Sequence, residues 1–512
     1  MRQDAGDYKE LKENFVSGAT GSTVTHVNLI SSAALASVFL YHTILSRTSP
    51  TSLNKFPISW AILVLPLLLS MTLFANMPAL LSILMLIPAL GLSFLSRRES
   101  GTPLPSNESE RGTASPKATV APLPFLTTYR AHMLLMTILA ILAVDFPVFP
   151  RSLAKCESFG VSLMDLGVGA FVFSQGVISA IPLVKNPTYL ASPVLSKLVT
   201  TIRKVLPIMV LGIVRVLLVK GTEYPEHETE YGTHWNFFIT MALLPVMEIF
   251  LHPIILRVPI SMLGILIALC QQLGLSVFGL QEVVLFAPRV GILSANKEGI
   301  VSLLGYLAVH LLGLSIGTMI LPPSPSYFRR FQRQFNKNGE LTLGGGEKYK
   351  HSYASRQNDK TATELWAYSM LWWVFMGLTR LLKIDGKEGV SRRVVNLSYI
   401  LWVAAYNTSF ILGYLLMDLY FYPSPSRSKY TRQQSDQDVL PSRIAVSAPL
   451  FEAINKNGLV LFLLANVFTG LINLTIPTMF TSNFWAMIIL CGYSLGVCAT
   501  AWVLRNTRVW KI

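Results

Sequence analysis

The residues best suited to chemistry lie between Ala143 and Lys155. Asp145 follows an apolar run, and Pro147 and Pro150 predict that a helix ends beside it. A carboxylate at a helix C-terminus meets the negative end of the helix dipole, and desolvation also disfavours its charged form. Both effects would make Asp145 a better proton acceptor, whereas Lys155, across a turn, would oppose them. The alternative is an ion pair at the membrane edge that only fixes the helix end.

A second polar cluster spans residues 224–238 and contains two His and three Glu. Its spacing matches no zinc motif, so no metal site is predicted. The alternative is an acidic loop with a Trp/Phe anchor at the membrane interface. Within the cluster, His234 and Asn236 are the better site candidates, because they lie at the entry to the next apolar run.

Several polar residues lie inside apolar runs, where an ionisable group needs a partner. Arg215 requires a carboxylate or a phosphate, and Asp165 and a lipid phosphate are equally good candidates. Asn466 and Asn473 are seven residues apart and therefore share a helix face, where they could hydrogen-bond to a neighbouring helix. His310 is expected to be a packed, hydrogen-bonded histidine.

The composition predicts the elements that position these residues. Of 512 residues, 52% are hydrophobic and only 13% are charged, and the mean hydropathy is +0.50. So few charges cannot cover soluble domains, so a soluble enzyme or a nucleic-acid binder is excluded. The net charge of +15 is instead typical of Lys and Arg kept in cytoplasmic loops.

The hydropathy pattern predicts an all-α, polytopic membrane protein that forms a single domain over residues 1–512. A span needs about 20 mostly apolar residues. We expect about 13 spans, over residues 27–45, 57–74, 77–95, 127–146, 163–184, 203–220, 235–253, 258–275, 299–321, 364–383, 394–420, 457–474 and 484–504. Three polar connections, about 96–125, 322–362 and 422–456, are expected to be flexible loops.

An odd number of spans places the termini on opposite sides of the membrane. The connections on the C-terminal side carry the larger share of the 42 Lys and Arg residues, which predicts a cytosolic C-terminus and cytosolic long loops. The N-terminus, the 147–162 loop and the 221–234 loop would then face the opposite compartment.

These clusters resemble the PIG-W family of inositol acyltransferases, whose fungal members are called GPI-anchored wall transfer proteins. The matching stretches occur in order along nearly the whole chain, whereas the long loops do not match. They are residues 12–18, 143–150 with Lys155, 164–169, 226–238, 289–293, 296–300, 391–393 with Asn396 and Leu397, and Asn466 with 469–474.

The resemblance implies an enzyme of the endoplasmic reticulum membrane with a lumenal active site. Family members transfer a fatty acyl group, typically palmitoyl, from acyl-CoA to the inositol 2-hydroxyl of glucosaminyl-phosphatidylinositol, a step of GPI-anchor assembly. It implies no cofactor beyond acyl-CoA as substrate. In the family motif, an Asp and a Lys are the catalytic candidates, and Asp145 and Lys155 hold those positions here.

We therefore expect Asp145 to act as the general base on the inositol hydroxyl. Lys155 would stabilise the developing oxyanion or keep Asp145 ionised. Cys156 offers a less favoured route through an acyl-enzyme. Arg215, His234, Asn236, Asp165 and Asn466 are the predicted substrate-binding residues. A lipid or small-molecule transporter or flippase is the competing function, since transporters share buried charges and broken helices; a noncatalytic scaffold is a third.

Overall fold

The structure is a computed structural model. It describes residues 17–47, 55–94, 122–221, 228–338, 356–422 and 447–510, together with Leu11 and Phe15. Most of the predicted loops 96–125 and 422–456 lie outside these described residues.

Within the described residues the chain forms 19 α-helices. In chain order they are α1 (Val24–Leu45), α2 (Phe56–Leu63), α3 (Leu65–Met71), α4 (Pro78–Ser93), α5 (Pro124–Ala143), α6 (Leu163–Lys185), α7 (Val194–Gly221), α8 (Glu228–Tyr231), α9 (Phe237–Ile255), α10 (Ile260–Ser276), α11 (Leu280–Phe286), α12 (Ile292–Ala295), α13 (Lys297–Ile320), α14 (Tyr327–Asn338), α15 (Asn358–Leu381), α16 (Leu397–Phe421), α17 (Pro449–Lys456), α18 (Gly458–Thr475) and α19 (Asn483–Val503).

Every predicted apolar run coincides with one or two helices, which confirms an all-α multi-pass membrane protein. Eight helices in the described part of the chain are long and apolar enough to cross a membrane, or nine if α10 and α11, bent by 63°, form one broken span. The count of about 13 is not confirmed. The run at 57–74 is split into α2 and α3, and α4 has only 16 residues, too few for a span of ordinary thickness.

The centre of the bundle is the contact between α6 and α13. A Cβ on Gly176 would lie 2.0 Å from the His310 carbonyl oxygen, and one on Gly313 would lie 2.1 Å from that of Phe173. Only glycine lets the two backbones approach this closely. The pair forms a rigid support on which the helices of the site are arranged.

If successive spans cross the membrane in opposite directions, five of the connections between them lie on the same side. In the structure these five connections meet. Gly160 N donates to Val390 O (2.8 Å), and Thr233 N donates to Ala295 O (3.0 Å). The end of α18 joins them through Asn473, described below. Their meeting agrees with the predicted alternation, and which compartment they face stays a prediction.

Two helices lie where loops were predicted. α14 falls within 322–362, and Gln332 on it donates to Ile255 O (2.5 Å) at the end of α9. α17 falls within 422–456 and buries Leu450, Phe451 and Ile454. The hydropathy pattern does not predict these two helices, because each is short and amphipathic and lies in a polar segment.

Candidate active site

A cavity of about 820 Å³ lies between α5, α6, α7, α9, α16 and α18. Asp145 lies just beyond the C-terminal end of α5 and lines this cavity. From there a stripe with helical spacing follows α5: Val144, Ile141, Ala140, Thr137, Met136, Met133, His132 and Tyr129. At 1.5 Å per residue the stripe runs for about 24 Å. The cavity therefore extends from the polar end of α5 deep into the bundle.

Asp145 is 5% exposed and accepts a hydrogen bond from Nδ2 of Asn473 at 2.8 Å. Thr478 Oγ1 donates to the amide oxygen of Asn473 at 3.1 Å, which fixes the amide so that its nitrogen points to the carboxylate. Asn473 and Thr478, which are far from Asp145 in the chain, thus hold its carboxylate in one orientation at the cavity wall.

Arg151 stabilises the end of α5. Its guanidinium donates to Val144 O (2.6 Å) and to Phe149 O (3.1 Å), and it stacks 4.3 Å from the centre of the Phe15 ring. Burial lowers the pKa of Arg151, and the neighbouring Asp145 carboxylate partly restores it. A cation at this helix end offsets the negative end of the dipole.

Lys155 also lines the cavity. Its Nζ donates to Oε1 of Glu230 at 2.6 Å, and the two side chains are 37% and 18% exposed. The cavity therefore brings together the two predicted catalytic residues, Asp145 and Lys155, and adds Glu230 as a carboxylate that positions the lysine.

Cys156 is a buried thiol next to Lys155. Burial, followed by the charge of Asp165, raises the pKa of this thiol. A thiol that stays protonated at neutral pH is a poor nucleophile, so the geometry disfavours the acyl-enzyme route through Cys156.

Asp165 pairs with Arg392 and not with Arg215. It is fully buried, with Oδ1 2.6 Å from Nε of Arg392. Its other oxygen accepts from Cys156 N (3.0 Å) and Ser162 Oγ (2.7 Å). Burial would lower the pKa of Arg392, but the carboxylates of Asp165 and Glu230 raise it well above its ordinary value. The structure therefore gives Asp165 a partner other than Arg215, and its predicted role in substrate binding stays a prediction.

A second buried carboxylate, Glu298, ties the same loops together. Arg289 binds both of its oxygens, at 2.6 and 3.0 Å, and Nη2 of Arg393 lies 3.0 Å from Oε1. Asn396 accepts from Ser391 N and Tyr399 N and caps α16. These motif residues therefore position the loops beneath the cavity.

The other predicted binding residues have mixed positions. Arg215, Asn236 and Asn466 line the cavity, whereas His234 is not among its lining residues in the described chain. The backbone N–H of His234 donates to Asn296 Oδ1 (2.8 Å), and the residue is exposed. Asn236 caps α9, accepting from Phe238 N (3.0 Å) and Ile239 N (3.2 Å).

His310 is packed and hydrogen-bonded, as predicted. Its Nε2 lies 2.8 Å from Glu248 Oε2, and the other oxygen of Glu248 lies 3.4 Å from Nε2 of His252. All three side chains are buried between α9 and α13.

Sequence reasoning missed Asn473, Glu230 and Arg392 as site residues. The spacing predicts the same role, a contact between helices, for Asn466 and Asn473. In the structure Asn466 donates to Phe462 O on its own helix (2.7 Å), whereas Asn473 donates to Asp145. Each missed residue lies in a stretch already singled out by its motif. Only contacts across the fold distinguish them from their neighbours.

The sequence of the chain is similar to those of one family of known proteins. A model of the GWT1 family matches residues 8–504. GPI-anchored wall transfer protein 1 of Aspergillus fumigatus is 36% identical over 525 residues, 98% of each chain. The protein of the same name from Saccharomyces cerevisiae is 34% identical over 98% of this chain and 99% of its own. That of Cryptococcus neoformans var. grubii is 42% identical over 76% of this chain, a match that spans 63% of the relative's length.

Proposed function

The chain belongs to the GWT1 family, which implies a role in GPI-anchor biosynthesis, and from that premise we propose that it is an acyltransferase. It moves a fatty acyl group, palmitoyl in our proposal, from acyl-CoA to the inositol 2-hydroxyl of glucosaminyl-phosphatidylinositol. The observation that carries the proposal is one cavity lined by Asp145, Lys155 and a long apolar wall.

Asp145 is the general base. The inositol oxygen attacks the thioester carbonyl carbon while Asp145 takes its proton; the carbon–oxygen bond forms, the carbon–sulfur bond breaks and CoA leaves as a thiolate that is then protonated. Asn473 donates to the Asp145 carboxylate at 2.8 Å and holds it at the wall of the cavity, where the inositol hydroxyl would bind.

Lys155 stabilises the oxyanion that develops on the thioester carbonyl. Its ammonium has three donors, and one is used on Glu230. The contact with Glu230 positions the ammonium at the cavity wall, where the pair is partly exposed.

The apolar length of the cavity fits the acyl chain. The stripe on α5 runs for about 24 Å, whereas sixteen carbons span about 19 Å at the rise given by a 1.52 Å bond and a 111° angle. Ring contacts among Phe171, Phe237 and Phe462 form part of the wall. Arg215 borders the same cavity and is our candidate for a phosphate of CoA or of the glycolipid.

We place the protein in the endoplasmic reticulum membrane, with the Asp145 side and the N-terminus lumenal and the C-terminus cytosolic. The charge bias of the connecting loops supports this orientation.

The decisive experiment supplies purified protein with radiolabelled acyl-CoA and a glucosaminyl-phosphatidylinositol analogue. We expect an acylated inositol lipid. Movement of either lipid across proteoliposomes without acylation would instead establish the transporter alternative. Acyl-CoA binding to an Arg215→Ala variant, with Val214→Ala as a control from the same cavity, tests the CoA-phosphate assignment; unchanged affinity would remove Arg215 as the group that binds CoA phosphate.

A further inference from the structure

Arg392 lies where the buried loop network meets the cavity. Its guanidinium is 4% exposed and borders the cavity together with Lys155, Glu230 and Tyr231. It approaches the Tyr231 ring, with 5.9 Å from the guanidinium carbon to the ring centre. It is therefore a fixed positive charge at the wall of the proposed site.

The hydrogen bonds of this guanidinium are incomplete. Nε donates to Asp165 at 2.6 Å, but Nη1 is buried and has no hydrogen-bond partner among the described residues. A buried donor without a partner is costly, and a charged donor more so. Neighbouring carboxylates keep the group cationic, as described above. The combination of cavity, fixed charge and unused donor indicates an anionic ligand.

We propose that Arg392 binds the phosphodiester of the acceptor lipid and so places its inositol ring against Asp145. This rests on the proposed function, in which the nucleophile is the inositol 2-hydroxyl. In phosphatidylinositol the phosphate is attached to the adjacent ring carbon, so the group that anchors it must border the same cavity as the base. Arg392 does so, and it lies within the electrostatic reach of Glu230, the partner of Lys155. Arginine suits this role because its planar fork matches phosphate oxygens.

Arg393 provides the matched comparison. It is the next residue in the chain and is also buried in an ion pair, with Glu298, but it does not line the cavity. A conservative change at either position keeps the positive charge beside its carboxylate and removes the fork. Arg392→Lys and Arg393→Lys therefore share any general structural cost, and only the first should affect the acceptor.

The test measures steady-state acylation by the full-length protein, with acceptor and acyl-CoA varied separately. We expect Arg392→Lys to raise the KM for the acceptor about tenfold or more, with the KM for acyl-CoA and the thermal midpoint matching those of Arg393→Lys. An acceptor KM equal to that of Arg393→Lys would overturn the assignment. If the unaltered protein gives no acylation, the proposed function itself fails.

A second measurement uses soluble competitors, which stay informative if Arg392→Lys is poorly expressed. Inositol 1-phosphate should inhibit the unaltered enzyme more strongly than myo-inositol, and Arg392→Gln should lose that preference. An enzyme that does not distinguish the two competitors would contradict the proposal. Equal weakening of both competitors in Arg392→Gln would reveal a structural role only and would also contradict it.

Discussion

The same face of the molecule carries two groups of charged residues that behave differently. In the buried network, Asp165 and Glu298 are 0% exposed, and all four of their carboxylate oxygens have arginine, hydroxyl or backbone partners. At the cavity wall, Asp145 has an amide partner, and the Lys155–Glu230 pair is partly exposed. The first group holds loops together, and the second lines the cavity in which we propose that the substrates bind.

This difference shows that membership of a sequence motif does not distinguish a residue that holds the loops together from one that takes part in the reaction. Asp145 and Asp165 both lie in stretches that match the family motifs. Asp145 follows the end of α5, and Asp165 lies in the first turn of α6. What distinguishes them is position, since Asp145 lines the cavity and Asp165 is not among its lining residues. Asp165 is held on both oxygens by buried partners, and a carboxylate held in this way cannot take a proton from a substrate without losing one of them. The predictions below follow from that distinction.

The largest expected effect is the loss of acyl transfer in Asp145→Asn. The amide keeps the shape and can still pair with Asn473, but it cannot accept the hydroxyl proton. General-base catalysis contributes about 10²–10⁴-fold, so kcat should fall by about 10³-fold with an unchanged thermal midpoint. Retained turnover in a folded variant would remove Asp145 as the base and erase the contrast with Asp165.

Glu298→Gln should show the opposite pattern, a loss of stability with activity kept in the folded fraction. It leaves Arg289 and Arg393 without their shared carboxylate in a buried site. Breaking a buried pair by removing one partner costs about 3–5 kcal/mol. Thermal unfolding in detergent, with acyl transfer normalised to folded protein, checks this. A stable but inactive variant would move Glu298 into the active site.

Much of the fold is predictable, because the bilayer forces spanning segments to be helical and apolar. The position of Asp145 also follows from local signals, the apolar run and the two prolines. Its partner does not: Asn473 is 328 residues away, and nothing local separates it from Asn466. Sequence also left Asp165 and a lipid phosphate as equal candidates for Arg215 for the same reason, since the actual partner of Asp165, Arg392, comes from a distant loop.

A smaller effect is expected for Glu230→Gln. The substitution leaves Lys155 without its anchoring charge, so its ammonium would sample more positions and stabilise the oxyanion less well. We expect kcat/KM to fall about tenfold, while stability changes by less than about 1 kcal/mol because exposed pairs contribute little. Thermal midpoints and acylation kinetics measured on one preparation test both halves. A large loss of stability would place Glu230 in the scaffold instead.

The smallest effect on transfer is expected for Cys156→Ala, which removes a thiol between the two groups. Direct transfer needs no cysteine, so kcat should stay within about twofold; a loss comparable to that in Asp145→Asn would restore the acyl-enzyme route.

The Cys156→Ala variant should also change the stability of the protein at alkaline pH. The folded protein raises the thiol pKa from its ordinary 9.0, so the unfolded chain ionises first, and stability falls as the pH rises above about 9. Cys156→Ala lacks this contribution, and its thermal midpoint should decline less between pH 8 and 10. Parallel declines in the two proteins would mean that the thiol ionises as readily in the fold as in water.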